Sequence, residues 1–303
     1  MKFSFLIISL LLWSFRPIAQ SFLGSNAWRN NRVELTGGIG ASNFLGDLGG
    51  RDRVASKFYL DMELVKTRYV AQFTYLYYIQ RTIAIRPSFH FARVTGDDAL
   101  TQEYYRHHRN LNFKSNLYEF SVTGEYQFIK EKQGNRYGIK SPTGRKLGLK
   151  GKGIGMYLTA GVGVVFFNPK RIGSGASLRK MGTEGQGLPA GGQKYKRATI
   201  VIPFGLGFRK ALGPNSGLKF EFSHRYTFSD YLDDVSTNYY NNDAIRTVRG
   251  DAAAAAADSH ILDGLENTSH GLQRGDPKDK DSYMFLTISY FKRIPTVSKR
   301  KKR

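Results

Sequence analysis

The sequence predicts an all-β fold, an eight-stranded antiparallel transmembrane β-barrel with long loops on one rim. Three observations predict it. Segments of about a dozen residues alternate apolar and polar side chains with a period of two. In the clearest of them the apolar face carries aromatics at both ends, as a lipid-facing band between two interfaces does. The segments number eight, and a closed bacterial barrel takes an even number. A soluble β-sandwich is the competing architecture, but it has no need of aromatics flanking both ends of an apolar face.

Residues 1–20 read as a secretory signal peptide. Lys2 gives a positive start, Phe3 to Trp13 is an apolar run broken only by Ser4 and Ser9, and Pro17-Ile18-Ala19-Gln20 offers a small-residue cleavage site. The run is shorter than the ~20 residues a spanning helix needs, which argues against a retained anchor. The absence of cysteine rules out both a lipid-modified cysteine and disulfides. No later segment is a long enough apolar run to cross a bilayer as a helix, so strands are the available route. The barrel is expected over 21–294 and a basic tail over 295–303.

The strands are expected at 32–43, 68–78, 82–94, 117–128, 155–167, 198–210, 218–229 and 282–291. The first three and the last are the weaker signals. In 82–94, Ile83, Ile85, Phe89 and Phe91 oppose Arg86, Ser88 and His90. The strongest is 117–128. There Leu117, Glu119, Ser121, Thr123, Glu125 and Gln127 form one face, and Tyr118, Phe120, Val122, Gly124, Tyr126 and Phe128 the other. In 155–167 the outward set is Met156, Leu158, Ala160, Val162, Val164 and Phe166, with Gly155, Gly161 and Gly163 facing a tight interior. In 198–210, Ile200, Ile202, Phe204, Leu206 and Phe208 oppose Thr199, Val201, Gly205, Gly207 and Arg209, with Pro203 among them. In 218–229, Leu218, Phe220, Phe222, His224, Tyr226 and Phe228 alternate with Lys219, Glu221, Ser223, Arg225, Thr227 and Ser229. For 282–291 alternation does not decide which face points outward.

The links fall into two classes. Those at 79–81 and 212–216 are short, the second carrying Gly213-Pro214-Asn215 turn chemistry. Those at 44–67, 95–116, 168–197 and 230–281 are long. Short turns of outer-membrane barrels are periplasmic and long loops extracellular. Strand counting then places 129–154 in the periplasm although it is long. This link holds Lys130, Lys132, Arg136, Lys140, Arg145, Lys146, Lys150 and Lys152 against one acid, Glu131. The tail, with Lys299, Arg300, Lys301, Lys302 and Arg303, falls on the same side. These thirteen bases are the candidate docking surface for a periplasmic partner; solvated flexible segments are the plain alternative. The loop 230–281 is acidic, with eleven acids and five bases, and includes the alanine run 252–257. Asp251 is placed to cap a short helix there.

The chain carries a net charge of +22, and removing residues 1–20 takes away Lys2 and Arg16 and no acid, leaving +20. For an exported protein the expected counter-charge is lipopolysaccharide or an acidic protein, not nucleic acid. Loop 168–197, with seven bases and one acid, suits anionic lipid heads. No Walker loop, His-Glu-x-x-His or Gly-x-Ser-x-Gly occurs, so no catalytic, cofactor or metal residues are assigned. His107-His108 with Asp97-Asp98 lacks defined ligand spacing, and Asp233-Asp234 reads as solvated loop before it reads as a calcium site. Arg86, His90, Glu119, Glu125, Lys219, Glu221 and Arg225 face the lumen. Eight strands leave room only for side chains, so these charges must pair and close the pore.

Gly40-Ala41-Ser42-Asn43-Phe44-Leu45-Gly46-Asp47-Leu48 resembles the first-strand signature of the PorG-like outer-membrane proteins of Bacteroidetes. Thr95-Gly96-Asp97-Asp98 and Arg109-Asn110-Leu111-Asn112-Phe113-Lys114-Ser115-Asn116-Leu117-Tyr118-Glu119-Phe120 resemble that family's most recognisable stretch. The resemblance covers residues 32 to 130 and, more loosely, the last strand. It implies a structural barrel of the type IX protein secretion and gliding machinery. Such a barrel tethers the periplasmic ring, a lipoprotein with a partner subunit, to the outer membrane. The alternative is a stand-alone barrel that binds lipopolysaccharide or stabilises the envelope.

Overall fold

In the computed structural model, the described residues are 31–48, 66–101, 103–130, 154–213, 215–260 and 268–294. Eight strands close into one antiparallel barrel in sequence order. They are β1 (Val33–Leu45), β2 (Arg68–Tyr78), β3 (Ile83–Asp97), β4 (Asn112–Ile129), β5 (Ile154–Phe166), β6 (Ala198–Ala211), β7 (Ser216–Thr227) and β8 (Ser282–Ile294). Closure is made by β1 and β8, paired from Val33↔Ile294 to Leu45↔Ser282. It leaves no open edge whose backbone groups would face lipid unpaired.

The faces follow the alternation. Ile39 is 73% exposed, Val162 62% and Phe120 56%, and all lie on the outside. An apolar exterior of this extent on a closed barrel has lipid as its solvent; the protein is a multi-pass outer-membrane barrel. No helix among the described residues is long and apolar enough to cross a membrane. One aromatic girdle runs across neighbouring strands. Tyr69 meets Phe91 at 6.0 Å, Phe91 meets Tyr118 at 5.1 Å, and Tyr118 pairs with Phe166. His224 sits on the outer face as expected, yet it is buried because the Phe204 ring covers it at 5.1 Å.

The largest correction to the expected strands concerns the β3–β4 hairpin. β4 begins at Asn112 rather than 117, and β3 runs to Asp97 rather than 94. The hairpin climbs beyond the lipid band, where the pattern inverts. Arg93, Lys114 and Asn116 lie on the outward face while Val94, Phe113 and Leu117 are buried. Both ends of 95–116 are therefore strand, and the loop narrows to 98–111. Similarly, β7 starts at Ser216 and ends at Thr227, and β8 continues to Ile294. Pairing between β2 and β3 skips from Thr74↔Ser88 to Tyr77↔Ile85, and between β5 and β6 from Ala160↔Phe204 to Gly163↔Val201. Pro87 and Pro203 lie in these gaps and have no N–H to give the ladder.

Four short helices sit in the long loops: α1 (Tyr104–Arg109), α2 (Leu178–Met181), α3 (Asn242–Arg249) and α4 (Asp251–Ala257). Asp251 is not the cap of α4. Gly250 holds that position with no side-chain bond, and Asp251 instead pairs with Arg246 at 3.3 Å. The alanines are packing residues. Ala253 and Ala257 bury against Ile245 and Met181, and Ala256 joins the main core beneath. Their small side chains let so short a helix lie close on its neighbours, which supplies the stability an isolated turn lacks.

Candidate functional site

The barrel interior is a stack of ion pairs. Strand alternation delivers each member, because an inward position on one strand faces inward positions on the others. Nearest the short-turn rim, Glu34 on β1 receives Arg209 of β6 at 2.8 Å and Lys219 of β7 at 2.6 Å. Glu125 on β4 meets Arg86 at 3.5 Å and both Arg209 and Lys219 at 3.4 Å. Glu221 meets Arg86 at 2.8 Å and accepts the Tyr157 hydroxyl at 2.9 Å. Further up, Glu119 is held by Arg225 at 3.1 Å, His90 at 3.3 Å and the Tyr283 hydroxyl at 2.8 Å.

All of these side chains are buried. Four carboxylates, Glu34, Glu119, Glu125 and Glu221, meet the four buried cations Arg86, Arg209, Lys219 and Arg225, and Arg293 adds a longer contact to Glu34 at 3.5 Å from the rim. All four buried cations also lie over aromatic rings, two of them closely. Arg225 is 4.0 Å from the Phe285 ring centre and Arg209 is 4.5 Å from that of Phe291. This settles the orientation of β8: Phe285 and Phe291 point inward as partners for guanidinium groups, while Leu286, Ile288 and Tyr290 face lipid. The structure places Arg86, His90, Glu119, Glu125, Lys219, Glu221 and Arg225 together inside the barrel. Sequence reasoning missed Glu34 and Arg209, and the hydroxyls of Tyr78, Tyr157 and Tyr283 that complete the network. Alternation puts Arg209 on the inward face of its strand without naming it among the pairing charges. A space for Tyr157 exists because β6 has Gly207 opposite, where any Cβ would run into its ring.

Above the ion pairs an apolar layer seals the barrel from the long-loop side. Phe44, Val94, Phe113, Leu117, Val165, Leu232 and Val235 pack there, with Phe44 and Phe113 edge to face at 4.9 Å. The loops close over it through Arg109. Its guanidinium donates to Asp98 at 2.7 and 3.1 Å and to the backbone carbonyls of Asp47 and Arg274 at 2.9 and 2.6 Å. The stretches 40–48 and 95–120 thus meet at this cap, joined by Asp47, Asp98 and Arg109.

The cap also holds carboxylates, which corrects the reading of Asp233-Asp234 as solvated loop. Both are fully buried. Asp233 accepts the amides of Leu48 at 3.0 Å and Val235 at 2.9 Å, while Asp234 accepts the hydroxyls of Thr183 and Tyr195, each at 2.5 Å. Asp281 accepts the Leu232 amide at 2.8 Å, and Asp230 the Ser236 hydroxyl at 2.6 Å. Burial raises the pKa of Asp234 to about 7, against the pull of Arg274 and its two hydroxyl donors. It raises Asp230 to about 7 as well, with Asp47 and Glu184 adding to the rise. Asp233 and Asp281 are pushed well above the ordinary range by burial and by neighbouring aspartates. Among the described residues no group of His, Asp or Glu has metal-binding geometry. Asp98 spends its oxygens on Arg106, Arg109 and the Leu111 amide, and His108 is buried beside His260.

The short-turn rim is basic. Arg81, Lys130, Lys210 and Lys292 are exposed there, and among the described residues no acid is. Partial burial, then the nearby charge of Arg81, lowers the pKa of Lys130. The other expected docking residues, Lys132 to Lys152 and Lys299 to Arg303, lie outside the described residues. The strands that flank them do not: Ile129, Ile154 and Ile294 all end at this rim, beside the turns 79–82 and 212–215.

Residues 19–137 match a family described as a domain of unknown function, DUF6089. No curated protein matches the chain. Among solved structures, the chain is similar to Neisserial surface protein A, with a TM-score of 0.38 and 8% identity over 86% of this chain and 97% of that one. It is also similar to Ail, the attachment invasion locus protein of Yersinia pestis, in complex with the heparin analogue sucrose octasulfate. There the TM-score is 0.38 and the identity 9%, over 88% and 99% of the two chains. For the outer membrane protein OprG of Pseudomonas aeruginosa the TM-score is 0.33 and the identity 10%, over 86% and 97%. At this degree of likeness the fold rests on the strand pairing itself.

Proposed function

We propose that this protein is a structural, non-catalytic barrel of the type IX secretion machinery that tethers a periplasmic lipoprotein ring to the outer membrane. The observation that carries the reading is the division of the molecule into a sealed body and a basic rim. Ion pairs and the apolar cap fill the lumen, so the barrel works at its rims rather than through its centre. On the periplasmic rim the exposed charge is of one sign, and the basic segment 131–153 and the tail both spring from it. A rim of this kind attracts an acidic partner and orients it against the membrane. The resemblance of residues 40–48 and 95–120 to PorG-like proteins supplies the identity of that partner. Co-purification of the tagged full chain from native membranes, followed by mass spectrometry, is the test. Stoichiometric ring lipoprotein and its partner subunit are expected; a barrel recovered repeatedly without them overturns the reading.

A further inference from the structure

A groove of about 500 Å³ opens on the outside of the barrel where β3, β4 and β5 leave the lipid band. Arg93, Lys114, Lys170 and Arg197 line it, together with Tyr118 and Phe166. Among the described residues lining it there is no carboxylate.

Its height in the membrane follows from strand geometry. Lys114, Asn116 and Tyr118 lie on one outward face of β4, as do Arg93 and Phe91 on β3. Tyr118 and Phe166 are 44% and 47% exposed and belong to the aromatic girdle. At ~3.4 Å per residue, a cation two to four positions further along a strand stands roughly 7–14 Å beyond the ring it follows. Girdle aromatics mark the interface, so these cations lie at the level of lipid headgroups.

The cations are held together rather than scattered. Lys114 and Lys170 form an antiparallel bridge, exchanging backbone hydrogen bonds of 2.8 and 2.9 Å. Like charges set directly opposite each other repel. Arg197 is tied to the same place by its carbonyl, which accepts the Phe167 amide at 2.9 Å. None of the three has an acidic partner among the described residues. Arg93 is fixed in position by Asn116, at 2.8 Å, and by the Tyr69 ring, at 5.5 Å. An anion with several oxygens is what this arrangement lacks, and one carried on acyl chains fits the apolar wall below.

We propose that this groove binds a phosphorylated glycolipid of the outer leaflet, its phosphate among Lys114, Lys170 and Arg197 and its acyl chains along Tyr118 and Phe166. The site is on the opposite rim from the tethering surface and does not depend on that reading.

The test is native mass spectrometry of the full-length barrel in detergent, titrated with diphosphorylated lipid A, with the same lipid after dephosphorylation, and with inorganic phosphate as competitor. Wild type is expected to retain the phosphorylated lipid at least tenfold better than the dephosphorylated one, with millimolar phosphate displacing little of it. Lys114→Gln/Lys170→Gln/Arg197→Gln is expected to lose that preference. Lys170→Gln alone, a loop change with little bearing on folding, is expected to lose several-fold. A control triple variant, Arg246→Gln/Lys278→Gln/Lys280→Gln, carries the same charge change and is expected to retain the lipid as wild type does. Equal retention of the two lipids, undiminished retention by both groove variants, or full displacement by millimolar phosphate would each overturn the proposal.

Discussion

Arg86 on β3 and Glu221 on β7 form an ion pair of 2.8 Å across the full width of the barrel, since three strands lie between them in either direction around the wall. A contact of that kind leaves no open axis. With Tyr157 on Glu221 and Glu125 on Arg86, the bridge is fastened at both ends by side chains from β4 and β5. The wild-type barrel is therefore expected to conduct no ions in planar bilayers. Reproducible large open-channel steps would show that the bridge does not close the lumen.

Glu119 is the carboxylate on which the upper ion-pair layer converges. Replacing it with Ala leaves Arg225 buried without its charge partner, and the hydroxyl of Tyr283 without its acceptor. Removing one member of such a pair costs about 3–5 kcal/mol, because the remaining charge is uncompensated. Glu119→Ala is expected to unfold at a clearly lower denaturant concentration than wild type, with Glu119→Gln in between because its amide oxygen still accepts from Tyr283. A Glu119→Ala midpoint equal to wild type would mean that the layer does not bear on stability.

The carboxylates of the loop cap make a pH dependence of definite sign. Asp230 and Asp234 titrate near 7 in the closed cap and near 4 when the chain is open. Between those values the closed form holds protons that the open form releases, so the cap is firmest at the acidic end and loosens as pH rises through 7. Each group weakens closure by at most about tenfold per pH unit in that window. The charges facing Asp234 are Arg274 and Glu184, and those facing Asp230 are Asp47, Lys280 and Glu184. Hydrogen exchange at the amides of Leu48, Leu232 and Val235, corrected for intrinsic rate, is the readout. Protection should fall from pH 5 to pH 8. Asp234 has φ near 74°, a left-handed backbone that Asn tolerates well. Asp234→Asn keeps that conformation without the charge, and is expected to reduce the pH dependence. Flat protection in wild type would contradict the buried, protonated cap.

How far the sequence was legible depended on what surrounds each strand. Inside the lipid band the outward face must be apolar, so 117–128 reveals both its span and its faces. Above the band the outward side of β3 and β4 is wet and the inward side packs under the loops. The alternation there runs the opposite way, and Phe113 reads as a loop residue. In β8 both faces carry aromatics, and only the Arg209 and Arg225 guanidiniums stacked on Phe291 and Phe285 tell them apart. Alternation put Glu119 and Arg225 on inward faces, but not in contact, because a partner three strands away leaves no local trace. Glu34 escaped notice within a strand made weak by three glycines. The burial of Asp233 and Asp234 was illegible for a further reason: their amide and hydroxyl donors come from segments far away in the chain, such as Leu48 and Thr183.

The rim charges carry the last prediction. Arg81, Lys130, Lys210 and Lys292 form a basic ring at the short-turn rim, and the sequence between Lys130 and Ile154 adds Arg145, Lys146, Lys150 and Lys152. Charge of one sign speeds encounter with an opposite patch, and salt weakens it. Salt sensitivity alone does not separate a protein partner from inner-leaflet lipid heads, since both are screened. Charge reversal in the segment does. Changing Arg145, Lys146, Lys150 and Lys152 to Glu alters the net charge by eight without touching a lumen residue, and deleting 295–303 removes the second basic segment. Heat-modifiable migration of the barrel is expected to stay normal in both variants, because the ion-pair stack and the cap are intact. Recovery of ring components is expected to fall at least severalfold in the first and further when the two are combined. Unchanged recovery from correctly assembled barrels would reject these segments as the docking surface and leave any tethering to the fixed ring of Arg81, Lys130, Lys210 and Lys292.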